Sequence, residues 1–487
     1  MVDFTDVLIV GAGLSGIGAA VHLRMHCPSK SFAIVETRAQ MGGTWDLFRY
    51  PGIRSDSDMY TLGYNFKPWT NPKAIADGGS ILSYIKETAT EHDLNDKVLY
   101  QHKVIKANWN AVTARWTVTL ETPQGQVKRE CNFLYMCSGY YNYAQGYRPD
   151  FVGEEAFRGE IVHPQHWPND LNYTDKKIVI IGSGATAVTL LPRLAGARTH
   201  VTMLQRSPTY MGIMPSKDRI ANGLRKILPS QLAYKITRWK NLTMGRFIYN
   251  WMRKKPEKAK AFLLSKIRKS MGSDYPLSPH FTPNYKPWDQ RLCLVPDNDL
   301  FDSLKAGHAD VVTAEIERFT ADGIKLKTGE EIKADIIITA TGLNLQILGG
   351  AQFSLNDKPI DFSETFSYEG MMFSGVPNMA SVFGYVNASW TLRADLISQF
   401  VCRLLNHMEV KKTPICMPIA PKDMPAYPWF DFFKAGYLQR SLHQLPKQGN
   451  RDPWLNEQNY MRDRKVLPSK PLDDGVLNFS TISQAAE

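Results

Sequence analysis

Apolar and polar positions fall into one pattern that occurs twice. DVLIVGAGLSGIGAAVHL, from Asp6, is an apolar run, a glycine turn and a stretch of small and apolar residues. It predicts a buried strand, a tight turn and a packed helix. SFAIVE, ending at Glu36, predicts the next strand. KKIVIIGSGATAVTLLPRL repeats the pattern from Lys176, and HVTMLQ, ending at Gln205, follows it as a strand. FLYMCSGYYN (133–142) and ADIIITATGLN (334–344) predict two more strands ending in glycine turns, where the chain leaves the first unit and returns to it. Between Leu228 and Met271 the period changes. Leu232, Ile236, Trp239, Thr243, Phe247 and Trp251 recur at helical spacing, with Lys235, Arg238, Lys240 and Arg246 beside them. The polar, proline-bearing stretch 445–474 predicts a wrap over the first unit, with a frayed end after about Leu477.

The glycines give the repeated pattern a chemistry. Gly11, Gly13 and Gly16 complete G-x-G-x-x-G between strand and helix. The first glycine allows the turn, the second lets backbone N–H groups approach a pyrophosphate, and the third lets helix pack on strand. Glu36 at the end of the next strand can take both ribose hydroxyls of an adenosine. The second copy has Gly182, Gly184 and Ala187, with Ala185 and Thr186 opening its helix. Its following strand ends without a carboxylate, in Gln205, Arg206 and Ser207. An arginine there can pair with a 2′-phosphate that an acid would repel, although it can also be a solvated surface charge. The first site is therefore expected to take FAD or NAD and the second NADP. Two nucleotides on one chain imply electron transfer, most economically from NADPH to FAD. Thr341 and Gly342, ending the late strand, join the candidate contacts.

The expected fold is α/β, with two Rossmann-like dinucleotide-binding domains. The FAD domain takes residues 1–145 and 336–487, and the NADP domain, 146–335, is inserted in it with a helical insert at 216–285.

Composition narrows the class. The 487 residues are 43% apolar and 22% charged, enough for several domains of ordinary globular character. The six cysteines are scattered without a C-x-x-C pair, which predicts reduced thiols in a cytosolic protein and no metal site. No signal peptide is expected. The net charge is +11, and residues 217–269 alone carry 16 Lys or Arg against two acids, Asp218 and Glu257. That segment is expected to be a helical subdomain whose apolar stripe covers the substrate pocket. Peripheral contact with an anionic membrane is the alternative. No nucleic-acid-binding motif accompanies the charge.

FRGEIVHPQHWP (157–168) is an unusual connector, with two histidines and a tryptophan. Its Phe157, Gly159, His163 and Trp167 match the F-x-G-x-x-x-H-x-x-x-W fingerprint of class B flavoprotein monooxygenases of the Baeyer–Villiger type, and the chain resembles that family along nearly its whole length. MGGTWDLFRYPGIRSDSDMYTLGY, GSGATAVTL, QRSPTY, PWDQRLCLVP, ITATGLNLQ and NASWTL carry the likeness.

The resemblance implies that the connector is a hinge between the domains. For His166 and Trp167, plain packing is an equal alternative. It also implies that Gly43, Thr44 and Trp45 touch FAD, and that Arg291 is the active-site cation, held by Asp56. The implied reaction uses NADPH and molecular oxygen to turn a ketone, expected to be hydrophobic and aliphatic, into an ester through a flavin peroxide, with sulfoxidation as a side activity. The alternative is an N- or S-oxygenating flavin-containing monooxygenase, where Tyr or Phe is usual in place of Trp167. One departure stands out: many relatives carry Lys before the arginine, and here it is Gln290. Arg206 is then the main phosphate partner, and preference for NADPH is expected to be less strict.

Overall fold

The computed structural model describes residues 2–290, 292–430 and 435–482. The first glycine unit begins a mixed sheet. Strand Asp3–Val10 lies parallel between Phe32–Glu36 and Gly125–Met136. Val98–Tyr100 continues the parallel side, and Lys103–Asn110 and Arg115–Thr122 form an antiparallel meander on the other. Helix Leu14–His26 is buried from Leu14 through Leu23 and packs against the long C-terminal helix Trp390–Lys411. Its alanines and glycines suit so close a seat: a Cβ on Gly16 would lie 1.8 Å from the Gly11 carbonyl oxygen.

The second sheet is parallel, in the order Ala309–Thr313, His200–Gln205, Lys177–Ile181, Ile336–Thr339, Glu160–Val162. Helix Ala185–Leu194 follows its glycine turn. The expected α/β pair of dinucleotide folds is thus present, with one boundary displaced. Ile336–Thr339 was expected beyond the second domain, yet it bonds on both edges within that domain's sheet. A run of isoleucines suits any strand buried on both faces, so its composition does not say which sheet it joins. The chain crosses back just after it, where Leu343–Leu345 pairs antiparallel with the outgoing strand Tyr141–Gly146.

The insert is helical, as Arg219–Ile227, Ser230–Lys254 and Pro256–Met271. Pro256 has no N–H to continue the second helix and begins the third. The expected orientation is overturned. Leu232, Ile236, Trp239, Thr243 and Phe247 face solvent, and the buried face carries Ala233, Tyr234, Thr237 and Arg238. The reason is Arg238. Its guanidinium donates to the carbonyls of Tyr60 and Gly63, both at 2.8 Å, and lies 3.7 Å from the Asp395 carboxylate. Charge-assisted bonds of this kind contribute about 1.5–3 kcal/mol each, enough to choose the buried face. The apolar stripe therefore does not cover a pocket.

The tail also differs from expectation. Leu477–Ser480 is not frayed but pairs with Ile415–Pro418. All six cysteines are buried free thiols. Among the described residues no helix is long and apolar enough to cross a membrane, and no cluster of side chains could hold a metal ion.

Candidate active site and cofactor sites

Each glycine turn leaves a helix N-terminus without a side-chain cap, at Gly13 and at Gly184. Uncapped N–H groups there are a ready anion site. Gly11 and Gly182 hold φ of +104° and +135°, and a Cβ on either would meet a backbone carbonyl oxygen, of Cys137 at 2.7 Å or Ala340 at 2.4 Å. Both turns therefore require glycine.

The strand ends differ. Glu36 is buried, and its carboxylate accepts from Ala12 N–H at 2.8 Å and Arg38 N–H at 2.9 Å. Burial raises its pKa, partly opposed by those two bonds. Arg38 in turn pairs with buried Asp46, which fixes the strap after the Gly42–Gly43 turn. In the second unit Gln205 points inward, donating to His280 O at 2.7 Å and Thr313 Oγ1 at 2.9 Å. Arg206 and Ser207 are exposed.

A cavity of about 730 Å³ runs from the first turn toward the second domain. It brings together Gly11, Gly13, Glu36, Gly43, Thr44, Trp45 and Asp56 with Ala185 and Thr186 from the second unit. The glycine cradle, the uncapped N-terminus and the strand-end carboxylate opening on one cavity fit a dinucleotide such as FAD. Gly16 packs behind the first turn, and Gly182, Gly184, Arg206 and Ser207 lie outside this cavity, at the second turn. Arg291 lies outside the described residues.

The connector sits at the crossing between the sheets. A Cβ on Gly146 of the outgoing strand would come 2.0 Å from the His163 ring. His163 Nδ1 accepts from Gln165 N–H at 3.2 Å, Gln165 donates to Asn142 O at 2.8 Å, and His166 Nε2 bonds Ala144 O at 3.0 Å. Burial lowers the His163 pKa, so the ring is neutral at neutral pH. Trp167 packs against the second domain's core, and Phe157 stands edge-on to Phe319 within that domain. Gly159 is needed because a Cβ would lie 2.2 Å from Asp335 O. Thr341 and Gly342 touch no part of the cavity. They fasten the crossing, Thr341 Oγ1 donating to Tyr147 O and Gly342 O accepting from Tyr147 N–H.

Several residues at the site escaped the sequence reading. Arg54 pairs with Asp299 at 2.5 Å and so ties the Asp56 loop to the second domain. Tyr50 lines the cavity, and burial pushes it up to about 12, so it keeps its proton. Trp390 lies over Tyr140 with ring centroids 5.0 Å apart and donates to Ser15 Oγ at 2.7 Å. The charge alternation of IRSDSD was the available signal for Arg54, but not for its partner 245 positions away.

Comparison with known proteins decides the family. Residues 70–346 match the flavin-binding monooxygenase-like family, and 9–70 an NAD(P)-binding Rossmann-like domain. The chain is 52% identical over 483 residues to the FAD-containing monooxygenase EthA of Mycobacterium tuberculosis, covering 99% of this chain and 98% of that one. This chain belongs to the flavin-binding monooxygenase-like family. It is a flavoprotein monooxygenase, with one site for FAD and one for NADP. It is also 47% identical over 485 residues to the probable FAD-binding monooxygenase AlmA of Acinetobacter baylyi, with 99% and 97% covered. Among solved structures, an oxidized steroid monooxygenase bound to NADP matches with a TM-score of 0.79 at 19% identity, over 98% of this chain and all of that one. An open cyclohexanone monooxygenase matches at 0.78 and 17%, with the same coverage. At these identities the structures speak for the shared two-domain fold.

Proposed function

We propose that the chain is an NADPH- and oxygen-dependent Baeyer–Villiger monooxygenase that converts hydrophobic aliphatic ketones to esters, with sulfoxidation of thioethers as a side activity. The observation that carries this reading is the connector bearing the Phe157, Gly159, His163 and Trp167 fingerprint, stitched to the strand that joins the two nucleotide-binding units. Bound FAD would supply the oxygen-activating chemistry, with electrons from NADPH.

The protein's own residues have separate tasks. Glu36 holds the adenosine ribose, and the uncapped helix at Gly13 takes the pyrophosphate. Arg206 pairs with the 2′-phosphate of NADPH. By the family resemblance, Arg291 would supply a permanent positive charge to the negative charge that develops on the substrate's carbonyl oxygen, with Asp56 as its orienting partner. Tyr50, neutral and protonated, can donate a hydrogen bond into the cavity. Trp390 and Tyr140 form an apolar wall that excludes water.

The rival reading, N- or S-oxygenation, draws on the match to the flavin-binding monooxygenase-like family. The test is product analysis of the FAD-loaded enzyme with NADPH, supplied in parallel with 2-dodecanone, a thioether and a tertiary amine. Decyl acetate formed in step with NADPH oxidation, and lost in Arg291→Ala, is the expected result. Sulfoxide or N-oxide as the sole coupled product would move the rival forward.

A further inference from the structure

The helical insert exposes an apolar face that none of the described residues covers. On Ser230–Lys254, Trp239 is 61% and Phe247 72% exposed, and Leu232 and Ile236 lie beside them. At 100° per residue these four fall within an arc of about 80°. The adjacent helix Arg219–Ile227 adds Ile220 and Ile227, the latter 77% exposed. Isolated exposed apolar residues are ordinary, but four large ones aligned along one helix face mark a contact surface.

The charges around this face identify what it meets. Residues 217–269 carry 16 Lys or Arg against two acids. Lys240 is paired with Asp218, Arg253 with Asp289, and Arg238 is buried against Asp395. Lys235, Arg246 and Lys254 remain exposed beside the apolar stripe. A second copy of this chain would bring like charge onto like charge. A nucleic acid would satisfy the lysines and leave Trp239, Phe247 and Ile227 in water. An anionic bilayer surface satisfies both at once, because aromatic and aliphatic side chains enter the headgroup boundary while basic side chains reach the phosphates.

We infer that the insert is a membrane-surface docking element for anionic phospholipid, with Ser230–Lys254 lying in the plane of the interface. Arg238 serves it as an anchor, holding the inner face of the helix to Tyr60 and Gly63 and keeping the apolar face outward. This docking does not depend on what the enzyme oxygenates.

The test is flotation of the full-length FAD-loaded protein with vesicles of phosphatidylcholine alone or mixed with phosphatidylglycerol. The protein should float with the anionic vesicles and be released by high salt. Trp239→Glu/Phe247→Glu should weaken partitioning at least about tenfold while NADPH oxidation in solution is unchanged, and Lys235→Glu/Arg246→Glu should act in the same direction. No flotation, equal flotation with neutral vesicles, or flotation that survives both double variants would overturn the inference. So would a dimer in sedimentation velocity that Trp239→Glu/Phe247→Glu dissolves, or retention on duplex DNA in preference to vesicles.

Discussion

The two nucleotide-binding units share a backbone and differ at one strand end. In the first, Glu36 is buried and turned toward the glycine loop, accepting from Ala12 N–H. In the second, the matching glutamine is turned away into the core by His280 and Thr313, and the next residue, Arg206, stands exposed. The common turn recognises a pyrophosphate by geometry. On the proposed reading the strand end would then select between a ribose diol, whose hydroxyls donate to a carboxylate, and a ribose phosphate, which pairs with a guanidinium. Selectivity would then reside in one or two side chains, and affinity in turns whose first glycines, Gly11 and Gly182, admit no side chain.

Substitutions in the turns should have the largest effects. Gly11→Ala places a Cβ 2.7 Å from a backbone carbonyl at a φ of +104°. It should leave the protein at least about tenfold depleted in flavin, read as FAD absorbance per chain, since strain there costs on the order of 1–3 kcal/mol before any lost contact. Gly184→Ala meets nothing within 4 Å. It should fold with full flavin and show its effect only as a raised KM for NADPH. Equal flavin loss in both variants would mean that the turns do not serve separate nucleotides.

Arg206→Ala should come next. Losing a charge-assisted contact worth about 1.5–3 kcal/mol raises the KM for NADPH by about ten- to a hundredfold and leaves NADH kinetics nearly unchanged. A parallel loss with NADH would assign Arg206 a structural role. Arg54→Ala removes the ion pair with Asp299 between the Asp56 loop and the second domain. Because that pair is partly exposed, about 1–2 kcal/mol of stability should be lost, seen in the denaturation midpoint, and reduction of bound FAD by NADPH should slow.

The smallest effect is a pH dependence. Burial lowers the His163 pKa below its unfolded value, so the unfolded chain binds more protons in that interval. Stability from this group is complete above about pH 6.5 and declines as pH falls from there toward the folded pKa. His163→Asn should flatten that part of the Tm-against-pH curve. An unchanged slope would place the acid sensitivity in other half-buried histidines such as His280, whose pKa partial burial also lowers.

The legible features were those with a steric necessity behind them. Gly11 and Gly182 announced both turns because no other residue fits their φ, and Glu36 and Arg206 announced the difference between them. The sheet that receives Ile336–Thr339 was not legible, since an isoleucine strand buried on both faces suits either. The insert misled for a physical reason. Its apolar stripe predicts the buried face of a helix, but Arg238, which looks like a solvated charge, finds carbonyl acceptors inside and turns the stripe outward. Arg54 was equally hidden, because its partner is far away in sequence. The connector's fingerprint was legible as a pattern, while its anchoring through Gln165 and His166 to Asn142 and Ala144 needed the fold.

Oxygen insertion beside a ketone carbonyl can be followed by isotope labelling. The FAD-loaded enzyme is supplied with NADPH, 2-dodecanone and ¹⁸O₂, and the product is analysed by mass spectrometry. Decyl acetate carrying one ¹⁸O in its ester bridge is expected, with one NADPH consumed per ester. NADPH oxidation that yields only hydrogen peroxide with this ketone, while a thioether in the same assay gains the label, would contradict it.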